Sequence, residues 1–185
     1  VGRGCLAGPV YTAAVVLDLK KLFALDHKSL ELIRDSKKLS AKQRAKSLET
    51  IKKIAQSITI GISDVATIDC KGIVPATFLA MHKSVKNLNC KIDYLLVDGN
   101  KELPEYRGKQ QAIIKGDNLS FSIAAASIVA KQARDAVMQK SHLEFIEYGF
   151  STNVGYGTKT HLCALKKYGP CVLHRKSFEP VKSMV

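Results

Sequence analysis

The sequence predicts an α/β fold, a mixed sheet flanked by helices, and three features carry that prediction. Strand-like and helix-like hydrophobic patterns follow one another in the order strand, helix, strand, helix, strand, strand, helix, helix. One of the strands, in "KIDYLLVDGN", is a continuous apolar run, as a strand covered on both faces must be. No internal repeat, low-complexity tract or Pro/Gly/Ser linker breaks the series before about residue 140. The expected organisation is therefore a core over residues 1–140 and a helical C-terminal extension over 141–185 packed on it.

Each element has its own signature. "PVYTAAVVLDL" is rich in Val and small residues and reads as a buried strand. "SAKQRAKSLETIKKIAQ" reads as a helix, with Ser40 as its N-cap and Leu48, Ile51 and Ile54 on one face. "SITIGISD" alternates apolar and polar residues like a half-buried strand. "VATIDCKGIVPATFLAMHKSVKNL" reads as a loop and then a helix, because Pro75 is tolerated only in a helix's first turn. "QAIIKGDN" is a short strand ending at Asp117, and "SFSIAAASIVAKQARDAVMQKSHLEFI" a long helix whose small residues allow close packing. "GTKTHLCALKKYG" closes the series as a short helix capped by Thr158.

Composition bounds the function. With 185 residues, 46% of them hydrophobic, the chain can bury a real core and is not disordered. No apolar run approaches the ~20 residues of a membrane span, and no stretch has the build of a secretory leader. The five cysteines are odd in number and scattered, which predicts reduced thiols and a cytoplasmic location. His161, Cys163, Cys171 and His174 fall together in "HLCALKKYGPCVLH", but no CxxC pair shapes the loop for structural zinc. The 29 basic residues outnumber the 16 acidic ones for a net charge of +13, and they gather in five clusters with little acid nearby. A polyanionic partner, nucleic acid above all, suits that surplus. A membrane surface suits it less, since no strongly amphipathic basic helix with bulky aromatics is present.

Two aspartates could carry chemistry. Asp98 stands at the carboxyl end of the apolar strand, the edge where open α/β sheets bind ligands. Asp117 ends the next short strand, just before a helix. Two such carboxylates repel unless a divalent cation lies between them, so a metal site is one reading. The other makes Asp98 the first residue of an Asp-Gly bend and Asp117 a helix N-cap. The opening "VGRGCLAGPV" also has two readings: a tight bend at a strand end, or a backbone that approaches an anion closely.

"GRGCLAGPVYTAAVVL", "DSKKLS", "LLVDGN", "KGDNLSFSIAAASIVAKQARD", "GYGTKTH" and "HRKSFEPV" together resemble bacterial type 2 ribonuclease H (ribonuclease HII) over nearly the whole chain. The resemblance implies an RNase H-like fold, with a five-stranded mixed sheet and a helical C-terminal extension. It implies an endonuclease that hydrolyses the RNA strand of RNA–DNA hybrids and nicks 5′ of single ribonucleotides embedded in duplex DNA. Products would carry 3′-hydroxyl and 5′-phosphate ends, and the cofactor would be Mg2+ or Mn2+. Asp98 and Asp117 match two of the family's four metal-binding acids, and the other two, an adjacent Asp-Glu, are expected upstream of Val1. By the same match Gly2, Arg3 and Gly4 would present backbone groups to the ribose 2′-hydroxyl. Tyr156 would stack against a sugar, and Ser36, Lys37 and Lys159 would contact phosphates. His174 and Arg175 would be backbone clamps or surface charge. The partners are RNA–DNA hybrid and ribonucleotide-bearing DNA duplexes, with no membrane, and the chain is expected to act as a monomer. Two rivals stand beside this reading: a non-catalytic basic nucleic-acid-binding module, and a type 3 ribonuclease H.

Overall fold

The computed structural model describes residues 1–34 and 39–185. The elements run β1 (Val10–Leu17), α1 (Leu19–Phe23), α2 (His27–Glu31), α3 (Ala41–Ile54), β2 (Ala55–Ser63), α4 (Val65–Lys71), α5 (Ile73–Lys86), β3 (Leu95–Asp98) and β4 (Gln110–Ile113), then α6 (Phe121–Glu144), α7 (Phe150–Asn153) and α8 (Lys159–Tyr168). Short 3₁₀ turns occupy Gly116–Asn118, Ile146–Tyr148 and Val181–Met184. The α/β class and the order of the main elements are as expected. Four helices were not: α1, α2 and α7 fill stretches with no assigned structure, and α4 fills a predicted loop. Three of them start at an aspartate whose carboxylate accepts backbone N–H bonds, Asp18 for α1, Asp26 for α2 and Asp64 for α4.

The described residues form two compact units: Thr12–Gly61 with Met81–Gln132, called here the central unit, and Val1–Tyr11, Ile62–Ala80 and Ala133–Val185, the terminal unit. The described strands lie in two two-stranded ladders, β1 with β2 and β3 with β4, where the resemblance implied one five-stranded sheet. β3 and β4 are parallel, with Leu95 opposite Gln110 and Asp98 opposite Ile113. Gly99 (φ 126°) follows β3, and left-handed Lys115 (φ 55°) lies two residues after β4.

In the central unit Leu17, Leu22, Ile33, Leu39, Ile51, Ile54, Ala124, Ala125, Ile128 and Val129 make one core, joined by the partly buried Leu48. Ser40 caps α3 in a full capping box with Gln43. The connector between β3 and β4 holds no helix, and Gln110 organises it. Its side-chain oxygen accepts from Leu103 N–H at 2.9 Å, and its amide nitrogen donates to Leu103 C=O at 3.0 Å.

β2 departs from its pattern in an instructive way. Ser57, Gly61 and Ser63 are buried, while Ile60 and Ile62 are exposed. The inward hydroxyls are matched to carbonyls of α5: Ser63 donates to Ala76 C=O at 2.7 Å, and Thr59 to Ser84 C=O at 2.6 Å. Small hydrogen-bonding residues let the helix backbone lie close to the strand, which branched aliphatics would prevent. The terminal unit has two cores, one around Leu6, Met138, Tyr148, Phe150 and Leu165, the other of Val10, Ile68, Ala76 and Ala80.

Candidate active site

In the central unit the parallel β3–β4 pair delivers both aspartates. Gly99 N–H donates to Ile113 C=O at 3.0 Å, extending the ladder one step beyond exposed Asp98. The chain then turns through left-handed Lys115, and Gly116 N–H donates to Asp98 Oδ1 at 3.1 Å. Asp117 is the next residue, only 9% exposed, and its Oδ1 accepts from Asn118 Nδ2 at 3.1 Å. One hydrogen bond therefore separates the Asp98 carboxylate from the peptide that leads into Asp117. Gly116 permits this, since a Cβ there would stand 2.5 Å from Ile123 Cδ1.

Asp117 is thus neither on a strand end nor a helix N-cap, as its sequence context suggested. It lies on the 3₁₀ turn Gly116–Asn118, because the left-handed residue before that turn ends the extended backbone. Asp98 does precede a glycine bend, but its carboxylate turns across to Gly116. Two hard oxygen donors on adjoining segments fit a hard divalent cation such as Mg2+ or Mn2+. Among the described residues no group of three or more His, Cys, Asp and Glu is placed to hold a metal, so the pair is two donors and not a closed cage.

In the terminal unit two buried guanidiniums organise the start of the chain. Arg175 donates from Nη2 to Gly2 C=O (2.6 Å) and Gly8 C=O (2.7 Å), from Nη1 to Arg3 C=O (2.9 Å), and from Nε to Gly8 C=O (3.0 Å). Arg134 donates to Pro9 C=O (3.0 Å), Ala7 C=O (3.0 Å) and Val154 C=O (2.8 Å). Both are wholly buried. Burial lowers the Arg175 pKa to about 10, so it stays charged at neutral pH. Arg175 is therefore not surface charge: its guanidinium is spent on carbonyls of its own chain. Gly2 is buried, with Arg134 packed where its Cβ would be, whereas Arg3 and Gly4 are exposed.

The loop that carries Tyr156 is tied to this segment. Gly155 C=O accepts from Leu6 N–H at 2.9 Å and from Ala7 N–H at 3.3 Å. Gly155 has φ 88°, and a Cβ on it would meet Ala7 O at 2.4 Å, so only glycine fits. Tyr156 is 40% exposed, and burial, then the Cys5 thiol beside it, raise its pKa above the usual phenol value. Lys159 is the first residue of α8, which Thr158 caps as expected. Ser36 and Lys37 lie outside the described residues.

His161 and His174 do not serve a metal. His174 Nδ1 accepts from Cys171 N–H at 2.9 Å, which leaves the His174 proton on Nε2. That N–H meets His161 Nε2 at 2.9 Å, and His161 Nδ1–H then donates to Tyr156 C=O at 2.8 Å. The chain of bonds runs one way only and requires both rings neutral. Burial lowers the pKa of each, that of His174 to about 4. Cys163 is exposed, away from this buried relay.

The sequence model of the family described as ribonuclease HII matches residues 1–181. The chain belongs to the ribonuclease HII family. Ribonuclease HII of Wolbachia sp. subsp. Brugia malayi (strain TRS) is 47% identical over 181 residues, which are 98% of this chain and 85% of that protein. The crystal structure of ribonuclease H2 from Pyrococcus horikoshii OT3 shares the fold at a TM-score of 0.77 and 22% identity, covering 100% of this chain and 93% of that one. Bst-RNase HIII in complex with Mn2+ is a more distant likeness in fold, with a TM-score of 0.67, 15% identity, and coverage of 100% and 66%. As a ribonuclease HII the chain is an endoribonuclease that degrades RNA in RNA–DNA hybrids and depends on divalent metal. Type 2 is therefore favoured over type 3, and an enzyme over a non-catalytic module.

Two residues of this ribonuclease HII that shape the site went unread in the sequence. Arg134 was seen only as part of a helix, yet it lies one turn from Ala130 and one turn from Met138, both buried. That period marks a cation on an inward face. Asp69 accepts from Lys176 N–H, Ser177 N–H and Ser177 Oγ–H at 3.0, 2.9 and 2.6 Å, and so anchors the segment after Arg175. Its partners are more than a hundred residues away, and no local pattern signals them.

Proposed function

We propose that this ribonuclease HII nicks duplex DNA on the 5′ side of a single embedded ribonucleotide, besides cutting RNA in hybrids, and leaves 3′-hydroxyl and 5′-phosphate ends. The tie between the Gly2-Arg3-Gly4 segment and the Tyr156 loop, made by Leu6 and Ala7 N–H on Gly155 C=O, is the observation that supports it. In this reading the exposed Arg3 and Gly4 peptides meet the ribose 2′-hydroxyl, the group that separates RNA from DNA. The absence of a Cβ at Gly4 leaves room for the sugar. Tyr156 stacks on a sugar at the junction, and Ser36, Lys37 and Lys159 contact phosphates.

Asp98 and Asp117 hold the divalent ion, Mg2+ or Mn2+. When bound, that metal supplies an activated water and neutralises charge on the phosphodiester. Gly116 N–H fixes the Asp98 carboxylate through Oδ1, which would leave Oδ2 available to a cation. No helix among the described residues is long and apolar enough to cross a membrane. The cysteines are all free, which suits a reducing compartment such as the cytoplasm, and the chain works there as a monomer.

The test is cleavage, by the natural full-length protein, of an end-labelled DNA duplex with one ribonucleotide. The expected product is a single nick 5′ of the ribonucleotide with a 5′-phosphate on the downstream fragment. Cleavage confined to runs of several ribonucleotides would overturn the proposal.

A further inference from the structure

Arg175 is buried among backbone carbonyls, and among the described residues no carboxylate lies within ion-pair distance of it. A buried cation with no carboxylate in ion-pair contact is a poor device for stability, since desolvating it is costly and an aliphatic side chain would fill the space. Its four hydrogen bonds do something an aliphatic cannot: they fix the direction of particular peptide groups. In a trans peptide the C=O of one residue and the N–H of the next point to opposite sides. The one cis bond among the described residues is Glu179–Pro180, so the peptides of the opening segment are trans. Arg175 draws Gly2 C=O and Arg3 C=O inward. The same two bonds therefore turn Arg3 N–H and Gly4 N–H outward. Among the described residues neither amide has an acceptor, both residues are exposed, and nothing lies within 4 Å of a Cβ position at Gly4.

We infer that Arg175 is a positioning residue that aims the Arg3 and Gly4 amides at the ribose 2′-hydroxyl, and so sets the preference for ribonucleotide over DNA without touching substrate. The inference rests on the reading above, in which this backbone meets the 2′-hydroxyl. Arginine is required because its planar guanidinium holds several carbonyls at once in a fixed arrangement, which a lysine ammonium cannot.

The experiment compares affinities, without divalent metal, for a duplex carrying one ribonucleotide and for the all-DNA duplex of the same sequence. Four full-length proteins are used: wild type, Arg175→Lys, Gly4→Ala and Leu165→Ala, the last loosening the core of the same unit. Arg175→Lys should lower the ribonucleotide preference by about tenfold, the worth of one well-aimed hydrogen bond, while all-DNA affinity stays within about twofold. Gly4→Ala, which meets no protein atom, should lose the preference too, and Leu165→Ala should keep it. If Arg175→Lys does not fold, Asp69→Ala replaces it, because it frees the segment after Arg175 by removing a partly exposed carboxylate; the same loss of preference is expected. A wild-type preference in Arg175→Lys together with its loss in Gly4→Ala would overturn the positioning role and leave the reading intact. A preference absent from the wild type, or retained by Gly4→Ala, would overturn the reading and the inference with it. Loss of preference in Leu165→Ala as well would reduce Arg175 to a structural residue and also overturn the inference.

Discussion

Single residues here are constrained by what surrounds them, and two consequences can be measured. Gly155→Ala must place a Cβ against Ala7 O in a left-handed backbone, so it should cost at least about 2 kcal/mol of stability. Thermal unfolding should show a Tm lower by roughly 5 °C or more, and an unchanged Tm would mean that the loop is not seated as described. The His161–His174 relay predicts a pH dependence. The unfolded chain binds these protons near the usual 6.5, whereas buried His174 does so at about 4. The stabilisation from the neutral pair is therefore complete above pH 6.5 and is lost as pH falls from 6.5 toward 4. The His174 share is on the order of 3 kcal/mol, from the gap between those two values. Denaturation of wild type against His174→Gln across that window should show a steeper loss in the wild type; parallel curves would contradict the relay.

At the scale of elements, caps and turns decide what forms. Ser40→Ala breaks the capping box of α3 and should cost about 1 kcal/mol, read from urea midpoints at constant slope. The same chemistry explains how much of the fold was legible. The Ser40 and Thr158 caps, the placement of Pro75 in the first turn of α5 and the apolar run of β3 are local signals, and they located their elements. α1, α2 and α4 were missed although their capping aspartates were present, because five- to seven-residue helices show too little periodicity to stand out. β2 read as a simple alternation, yet its small polar side is the buried one, a result of helix packing that no strand pattern contains. The candidate site divides the same way. Asp98 and Asp117 were identifiable by type and position, but the bond from Gly116 to Asp98 depends on a left-handed turn at Lys115, a residue with no sequence preference for it. The clamps by Arg134 and Arg175 join positions more than a hundred residues apart, which one sequence does not reveal.

For the whole molecule, a net charge of +13 implies binding through many phosphates. Duplex affinity should therefore fall with salt, each neutralised phosphate adding about −0.9 to the log–log slope, and a flat dependence would contradict a broad phosphate footprint. Charge alone binds any duplex; cleavage is expected to need the Asp98 and Asp117 carboxylates as well. The most direct measurement is magnesium-dependent cleavage of a DNA duplex with one ribonucleotide by the natural full-length protein, compared with Asp98→Asn and Asp117→Asn. Each substitution should lower cleavage by at least about 100-fold while duplex binding and the circular dichroism spectrum stay in place. Near wild-type cleavage by Asp98→Asn would contradict the assignment of this pair as the metal-holding carboxylates.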